Sequence, residues 1–446
     1  MSPVRAAARR KPVQDHRAHQ QRRRRLQRLI GDGIAFIPTA PEYLRNADTH
    51  FPFRFDSHFW YLTGFGEPEA VLVLIGGRTP RSLLFCRDRD AEREIWDGHR
   101  YGPREAQKVF GVDEAHSITR LDAMAPELIA GQRRLLHPLG LDAGFDVRVN
   151  GWLAAVRAKV RAGVAAPGEF ADVRQLIDGM RLVKERSEIT LMQKAADISA
   201  RAHVRAMQVT RPGMHEYEIE AELLHEFRRS GAQSPAYPSI VAGGANACVL
   251  HYVGNDAPLR DGDLLLIDAG CEVDGYAADI TRTFPVNGRF SPAQRDCYQL
   301  VLEAQAAAIR AVKPGAAFTA YHQAALKVLA QGMIDLKLLK GPLDRVLESG
   351  DYRQFYMHRT GHWLGLDVHD VGTYAEQGKP RRLTPGNVLT VEPGLYIRPD
   401  AKVAREFWNI GIRIEDDVLV TADGRKVLTA ATPKGVEQIE ALMADD

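Results

Sequence analysis

A hairpin written into residues 263–283 narrows the folds open to this chain. Asp263-Leu-Leu-Leu-Ile-Asp268-Ala-Gly and Tyr276-Ala-Ala-Asp279-Ile-Thr-Arg-Thr283 flank Asp274-Gly275, a dipeptide that strongly selects a type I′ turn. A two-residue turn there sets Asp268 opposite Thr281 and Gly270 opposite Asp279. Residues two apart along a strand share a face, so both aspartates point the same way as diagonal neighbours. Taken singly, either aspartate reads as an ordinary turn or capping residue. Two on one face within apolar sequence argue otherwise, because unpaired buried carboxylates are costly. A shared metal site is the stronger reading.

Three later segments supply further ligands. His358-Arg-Thr-Gly-His362-Trp-Leu-Gly-Leu-Asp-Val-His369 brings three histidines together beside Gly361, Gly365 and Gly372. Those glycines disfavour a regular helix and predict a loop or irregular strand that turns side chains inward. Val388-Leu-Thr-Val-Glu392 ends a strand just before Pro393-Gly394; alone, Glu392 would pass for a turn residue. In Gly411-Ile-Arg413-Ile-Glu415 the alternation sets Arg413 and Glu415 on one face. They read either as a weak surface ion pair or, given the apolar flanks Ile410 and Val418-Leu-Val, as part of a buried sheet where the pair needs further partners. Asp268, Asp279, His362, Glu392 and Glu415 then form a hard, oxygen-rich set, suited to a pair of divalent ions such as Mn²⁺ rather than to structural zinc. Such pairs activate water and polarise carbonyl or phosphoryl groups, so hydrolysis is the leading chemistry.

With 446 residues, two domains are expected. Residues 30–180 alternate buried-strand runs (Ile34-Ala-Phe-Ile, Ala70-Val-Leu-Val-Leu-Ile, Ser82-Leu-Leu-Phe) with amphipathic stretches at 104–110 and 152–160, an α/β pattern. The boundary falls near residue 178. Beyond it the periodicity predicts helices at about 187–210, 215–230, 291–313 and 317–335, each pair followed by strand-forming sequence, as a duplicated α-α-β unit would be.

The totals exclude several classes. A net charge of +2, from 59 basic and 57 acidic residues, predicts no nucleic-acid partner. No apolar run nears the roughly 20 residues that span a bilayer, so no membrane association is expected. Four scattered cysteines without a CxxC suit a reducing cytoplasm and neither a disulfide framework nor a thiolate site. The one local bias is an arginine-rich arm containing Arg22-Arg23-Arg24-Arg25. Against a transit peptide or a nucleic-acid contact, it lacks the serines and apolar segment of a targeting signal. A disordered arm over 1–21 leading into a solvated basic helix is expected.

At these residues the chain resembles the pita-bread metallopeptidases, the family of methionine aminopeptidase, prolidase and Xaa-Pro aminopeptidase. The resemblance runs from about residue 22 to 440, through Leu266-Ile-Asp-Ala-Gly, Ala278-Asp-Ile-Thr-Arg-Thr-Phe-Pro, Gly361-His-Trp-Leu-Gly-Leu-Asp-Val-His, Val391-Glu-Pro-Gly-Leu-Tyr and Ile412-Arg-Ile-Glu-Asp-Asp. Phe53-Arg-Phe-Asp-Ser-His-Phe-Trp-Tyr-Leu-Thr-Gly-Phe-Gly is similar to the N-terminal domain of the bacterial and mitochondrial aminopeptidase P type. It implies an α/β N-terminal domain over 22–178 and an α+β pita-bread catalytic domain over 179–446.

The resemblance also implies roles. Asp279 and Glu415 would bridge two ions, Asp268 would bind one, and His362 with Glu392 the other. A hydroxide bridging the ions would attack an Xaa-Pro bond, Glu392 shuttling the proton. His251, His358 and His369 would orient substrate and stabilise the intermediate, and Arg413 would hold the ligand carboxylates. Tyr396 and Trp96 are candidates to line a proline slot, although Trp96 fits an ordinary core position as well. Proline-containing peptides are the expected partners, Mn²⁺ the expected metal, and a homodimer or homotetramer the expected assembly. The rivals are a prolidase, with Arg398, Lys402 or Arg405 gripping a free carboxylate, and a non-catalytic binding protein of the same fold.

Overall fold

The computed structural model describes residues 16–400 and 402–444 and divides into two compact units, Met1–Met180 and Arg181–Asp446. The first is built on a six-stranded mixed sheet in the spatial order Glu114–Ser117, Arg81–Cys86, Val71–Ile75, Gly33–Pro38, Arg134–His137 and Glu169–Asp172. Its central strands are the continuous apolar runs of the sequence, as strands covered on both faces must be. Ile34, Phe36, Val71, Val73, Leu83 and Phe85 pack with Leu121, Ile129, Val149 and Trp152 from the flanking helices. Each such side chain contributes about 1.5–3 kcal/mol on burial.

The basic arm departs from expectation. Residues 17–21, expected within the arm, already belong to the Arg17–Ile30 helix; residues 1–15 lie outside the described residues. That helix is not simply solvated, for Arg22 and Arg23 are 3% and 2% exposed. Arg23 donates to the carbonyls of Leu62, Phe110 and Gly111 at 2.7–2.9 Å. Arginine's forked donors cap exposed carbonyl ends while its stem packs against apolar surface.

The second unit carries the predicted helix pairs, Arg186–Val209 with Glu216–Arg229 and Pro292–Ala311 with Ala320–Asp335. Ser291 and Gln294 form a capping box on the third helix, with Pro292 just inside it, the arrangement that favours a helix start. Strands follow each pair. Ile240–Gly243, Leu264–Asp268 and Thr281–Pro285 make one antiparallel sheet; Val388–Val391, Asp416–Val420 and Arg425–Val427 make another; Gly394–Ile397 pairs with Ile410–Arg413. Among the described residues no helix is long and apolar enough to cross a membrane.

The hairpin has the expected register, with Asp268 opposite Thr281. Asp274 and Gly275 both take positive φ, 48° and 81°, as a type I′ turn demands. Gly270 lies so near the partner strand that a β-carbon there would sit 1.9 Å from the carbonyl oxygen of Ala278. Only glycine fits, and the two aspartates are drawn together across that gap.

Candidate metal centre

Asp268 ends the Leu264–Asp268 strand, where Leu264, Leu265, Leu266 and Ile267 are all buried. Asp279 follows the turn, and its backbone N–H donates to Asp417 Oδ2 at 3.2 Å. Glu392 sits where the Val388–Val391 strand gives way to Pro393, with its N–H donated to the carbonyl of Thr360. That bond ties it to the histidine loop. Glu415 is 1% exposed and accepts from the Thr281 hydroxyl at 2.6 Å. His362 is fixed by Nδ1 against the carbonyl of Trp363 at 2.9 Å, which leaves Nε2 free to face the carboxylates.

All five side chains line one cavity of about 710 Å³, together with His251, His358, His369 and Arg413. Nε2 of His362 is 3.4 Å from Asp279 Oδ2 and 3.7 Å from Glu392 Oε1. Ligand atoms of Asp279, His362 and Glu415 lie within 4.8 Å of one another. Tyr237 places its hydroxyl 2.7 Å from Asp268 Oδ1 and 2.5 Å from Asp279 Oδ1. One phenol proton serves only one of these oxygens; the other close contact calls for a proton or a cation.

The electrostatics say the same. Burial, reinforced by Asp279, Glu392 and Asp268, lifts the Glu415 carboxyl well above its usual range. Glu392 is raised to about 7, burial and the neighbouring aspartates outweighing His362 and Arg413. Burial opposes charge on His362, yet its hydrogen bond to Asp279 and the nearby Glu392 hold it at about 9. Four carboxylates this close do not all ionise without added positive charge, and a hard oxygen-rich set is the kind that divalent ions occupy. The residues present therefore fit a metal.

Residues 190–422 match the sequence profile of metallopeptidase family M24, and residues 19–137 that of the aminopeptidase P N-terminal domain. The chain belongs to metallopeptidase family M24. This M24 peptidase is 47% identical over 427 residues to the Xaa-Pro aminopeptidase of Escherichia coli strain K12, across 95% of this chain and 97% of that protein. Its structure is similar to that of Pseudomonas aeruginosa aminopeptidase PepP, with a TM-score of 0.95, 51% identity and 98% of both chains covered. It is likewise similar to a zinc-substituted Escherichia coli aminopeptidase P in complex with product, at a TM-score of 0.94 and 46% identity over 96% of this chain and 98% of that one. The M24 peptidase is a metal-dependent aminopeptidase of the pita-bread fold, and this reading is favoured over prolidase.

Other expected site residues divide. His369 stacks edge-on against His362, with ring centroids 4.3 Å apart. His358 donates Nδ1–H to the Arg359 carbonyl at 2.8 Å and accepts through Nε2 from the Tyr396 hydroxyl at 2.9 Å; burial and then Arg413 push its pKa down to about 3. His251 lies exposed on the cavity wall. Tyr396 does not line the cavity as expected. It is fully buried behind it, receiving a hydrogen bond from Arg413 Nη1 at 3.0 Å. Nor does Arg413 pair with Glu415: its Nη2 meets Asp268 Oδ2 at 2.7 Å. Trp96 belongs to a short helix of the first unit, Arg93–Asp97, is 80% exposed, and is not a core aromatic. Arg398 is bonded to the Cys248 carbonyl at 2.9 Å, and neither it, Lys402 nor Arg405 lines the cavity of this M24 peptidase. Sequence reasoning missed Tyr237, Thr281 and Asp417, whose roles depend on partners distant in the chain.

Proposed function

We propose that the enzyme releases the N-terminal residue from peptides with proline in second position, using two divalent ions, Mn²⁺ by preference. The observation that carries this reading is one cavity holding four carboxylates, His362 and three further histidines. Asp268, Asp279, His362, Glu392 and Glu415 would hold the ions, with Asp279 and Glu415 serving both. Bound there, the ions supply Lewis acidity and an activated water.

The chain's own side chains do the rest. An Xaa-Pro bond is a tertiary amide whose nitrogen lacks a proton, so departure of proline needs one delivered. Glu392 takes a proton from the attacking water onto a carboxylate oxygen and passes it to that nitrogen as the C–N bond breaks. His251 and His369 face the same space and donate hydrogen bonds to the charge that develops on the scissile carbonyl, while His358, its Nδ1–H given to the Arg359 carbonyl and its Nε2 accepting from Tyr396, holds the cavity wall between them and Arg413. Arg413 fixes Asp268 through Nη2. Ile240, Leu250, Val253 and Val368 give the cavity an apolar wall suited to a proline ring.

The remaining parts of the proposal concern setting. Four buried free cysteines accord with a cytoplasmic location. A homodimer or homotetramer accords with Ile95 and Trp96, apolar yet each 80% exposed. The test is hydrolysis of Arg-Pro-Pro and of Ala-Pro by metal-free protein with and without Mn²⁺. Metal-dependent release of arginine from the tripeptide is expected; cleavage of Ala-Pro alone would move the enzyme to prolidase.

A further inference from the structure

Glu216 is a fully buried carboxylate outside the metal centre, at the start of the Glu216–Arg229 helix. Its oxygens are saturated. Oε1 accepts from the Gly243 N–H at 2.7 Å and from Asn246 Nδ2 at 3.0 Å. Oε2 accepts from the Tyr252 hydroxyl at 2.7 Å and from the Ala257 N–H at 2.9 Å. All four donors belong to one stretch, 243–257, whose middle supplies Leu250, His251 and Val253 to the catalytic cavity. Asn255 closes the far side: buried, with φ of 47°, it accepts from the Val241 N–H and donates to the Ser239 carbonyl.

The alternation along the segment explains what the clamp does. Tyr252 packs inward on Ile240, Ala247, Cys248 and Leu266, as does Leu250, whose edge also reaches the cavity. His251, between them, is exposed to the cavity. Among the described residues the His251 side chain has no hydrogen bond, so the backbone that Tyr252 anchors is what carries its imidazole. Hydrogen bonds to a carboxylate are stronger than those between neutral groups, and this one ties down a loop whose Val249 and Val253 are half exposed.

We propose that Glu216, through Tyr252, is a positioning residue for His251 in peptide hydrolysis. The inference rests on the peptidase reading above. It predicts that Tyr252→Phe, which keeps the packing and removes one hydrogen bond, lowers kcat on Arg-Pro-Pro about tenfold with KM little changed, the loss one such bond supplies. Glu216→Gln loses more, because an amide turns its NH₂ toward two donors.

The deciding experiment is a double-mutant cycle of Tyr252→Phe with His251→Ala on the Mn²⁺-loaded enzyme, with Tm measured for each variant. If Tyr252 acts through His251, Tyr252→Phe costs about tenfold in the wild-type background and less than about twofold when His251 is already alanine. Equal losses in both backgrounds, or no loss in either, would overturn the inference while leaving the peptidase intact. A loss that tracks a fall in Tm across the variants would overturn it too, as ordinary destabilisation. Wild-type protein silent on Arg-Pro-Pro would instead sink the peptidase reading itself.

Discussion

Arg413 and Asp268, far apart in the chain, meet with guanidinium Nη2 against carboxylate Oδ2 at 2.7 Å. The same arginine reaches Tyr396 at 3.0 Å and Thr281 Oγ1 at 3.2 Å. It thereby joins a carboxylate of one strand to the hydroxyls of two others.

Such a fork is specific to arginine, since lysine offers a compact charge without fixed directions. Arg413→Lys is expected to weaken Mn²⁺ binding about 10- to 100-fold, as loss of an orienting partner does. Isothermal titration of the metal-free variant measures it; unchanged affinity would show that Asp268 needs no such support.

Glu415→Gln should separate stability from metal binding. In the metal-free protein it relieves crowding among buried carboxylates, so Tm is expected to stay level or rise. A rise in Tm on adding Mn²⁺, expected of the wild type if the ion binds the folded state, should be absent from the variant. A variant that melts lower without metal would contradict the crowding argument.

Lys184 and Arg181 flank Asp370 at 2.8 and 2.5 Å, all three side chains 1% exposed. Lys184→Met should destabilise by about 3 kcal/mol, the lower end for a broken buried pair because Arg181 still neutralises Asp370. Urea unfolding would report a lowered midpoint at unchanged slope.

His203 is fully buried, with Nε2 against the Ala269 carbonyl at 2.9 Å. Burial, then Arg282, lowers its pKa from 6.5 to about 4. The unfolded chain therefore binds the proton more readily between those values. The stability tied to neutral His203 is complete above pH 6.5 and is lost as the pH falls toward 4, by at most about 1.4 kcal/mol per pH unit. In His203→Gln that part of the slope should be gone, as unfolding across pH 4–7 would reveal.

The four carboxylates that line the cavity are readable in the sequence because each lies beside an apolar strand, where a carboxylate is out of place, whereas His362 is signalled only by its glycines and neighbouring histidines. The hairpin register is readable because turn chemistry and a period of two leave one solution. Other parts are set by tertiary partners. Tyr237 meets Asp268 and Asp279, but a tyrosine between alanine and proline carries no local signal of that. Arg413 and Glu415 share a face by alternation, yet the guanidinium finds its partner on another strand. Arg22 and Arg23 look solvated because four arginines in a row suggest water, and their burial follows from carbonyls of segments that only the fold brings near.

The hairpin closed at Asp274-Gly275 imposes a parity rule on change. The register is the same at both ends of the hairpin, Asp268 opposite Thr281 and Val273 opposite Tyr276, so one residue added or lost within an arm would turn its carboxylate to the opposite face, unless a bulge absorbed it. Gly270 leaves no room for a bulged side chain beside Ala278. Homologous or engineered variants of this centre should therefore differ within each arm by even numbers of residues or by none, while the turn itself can lengthen without moving either carboxylate.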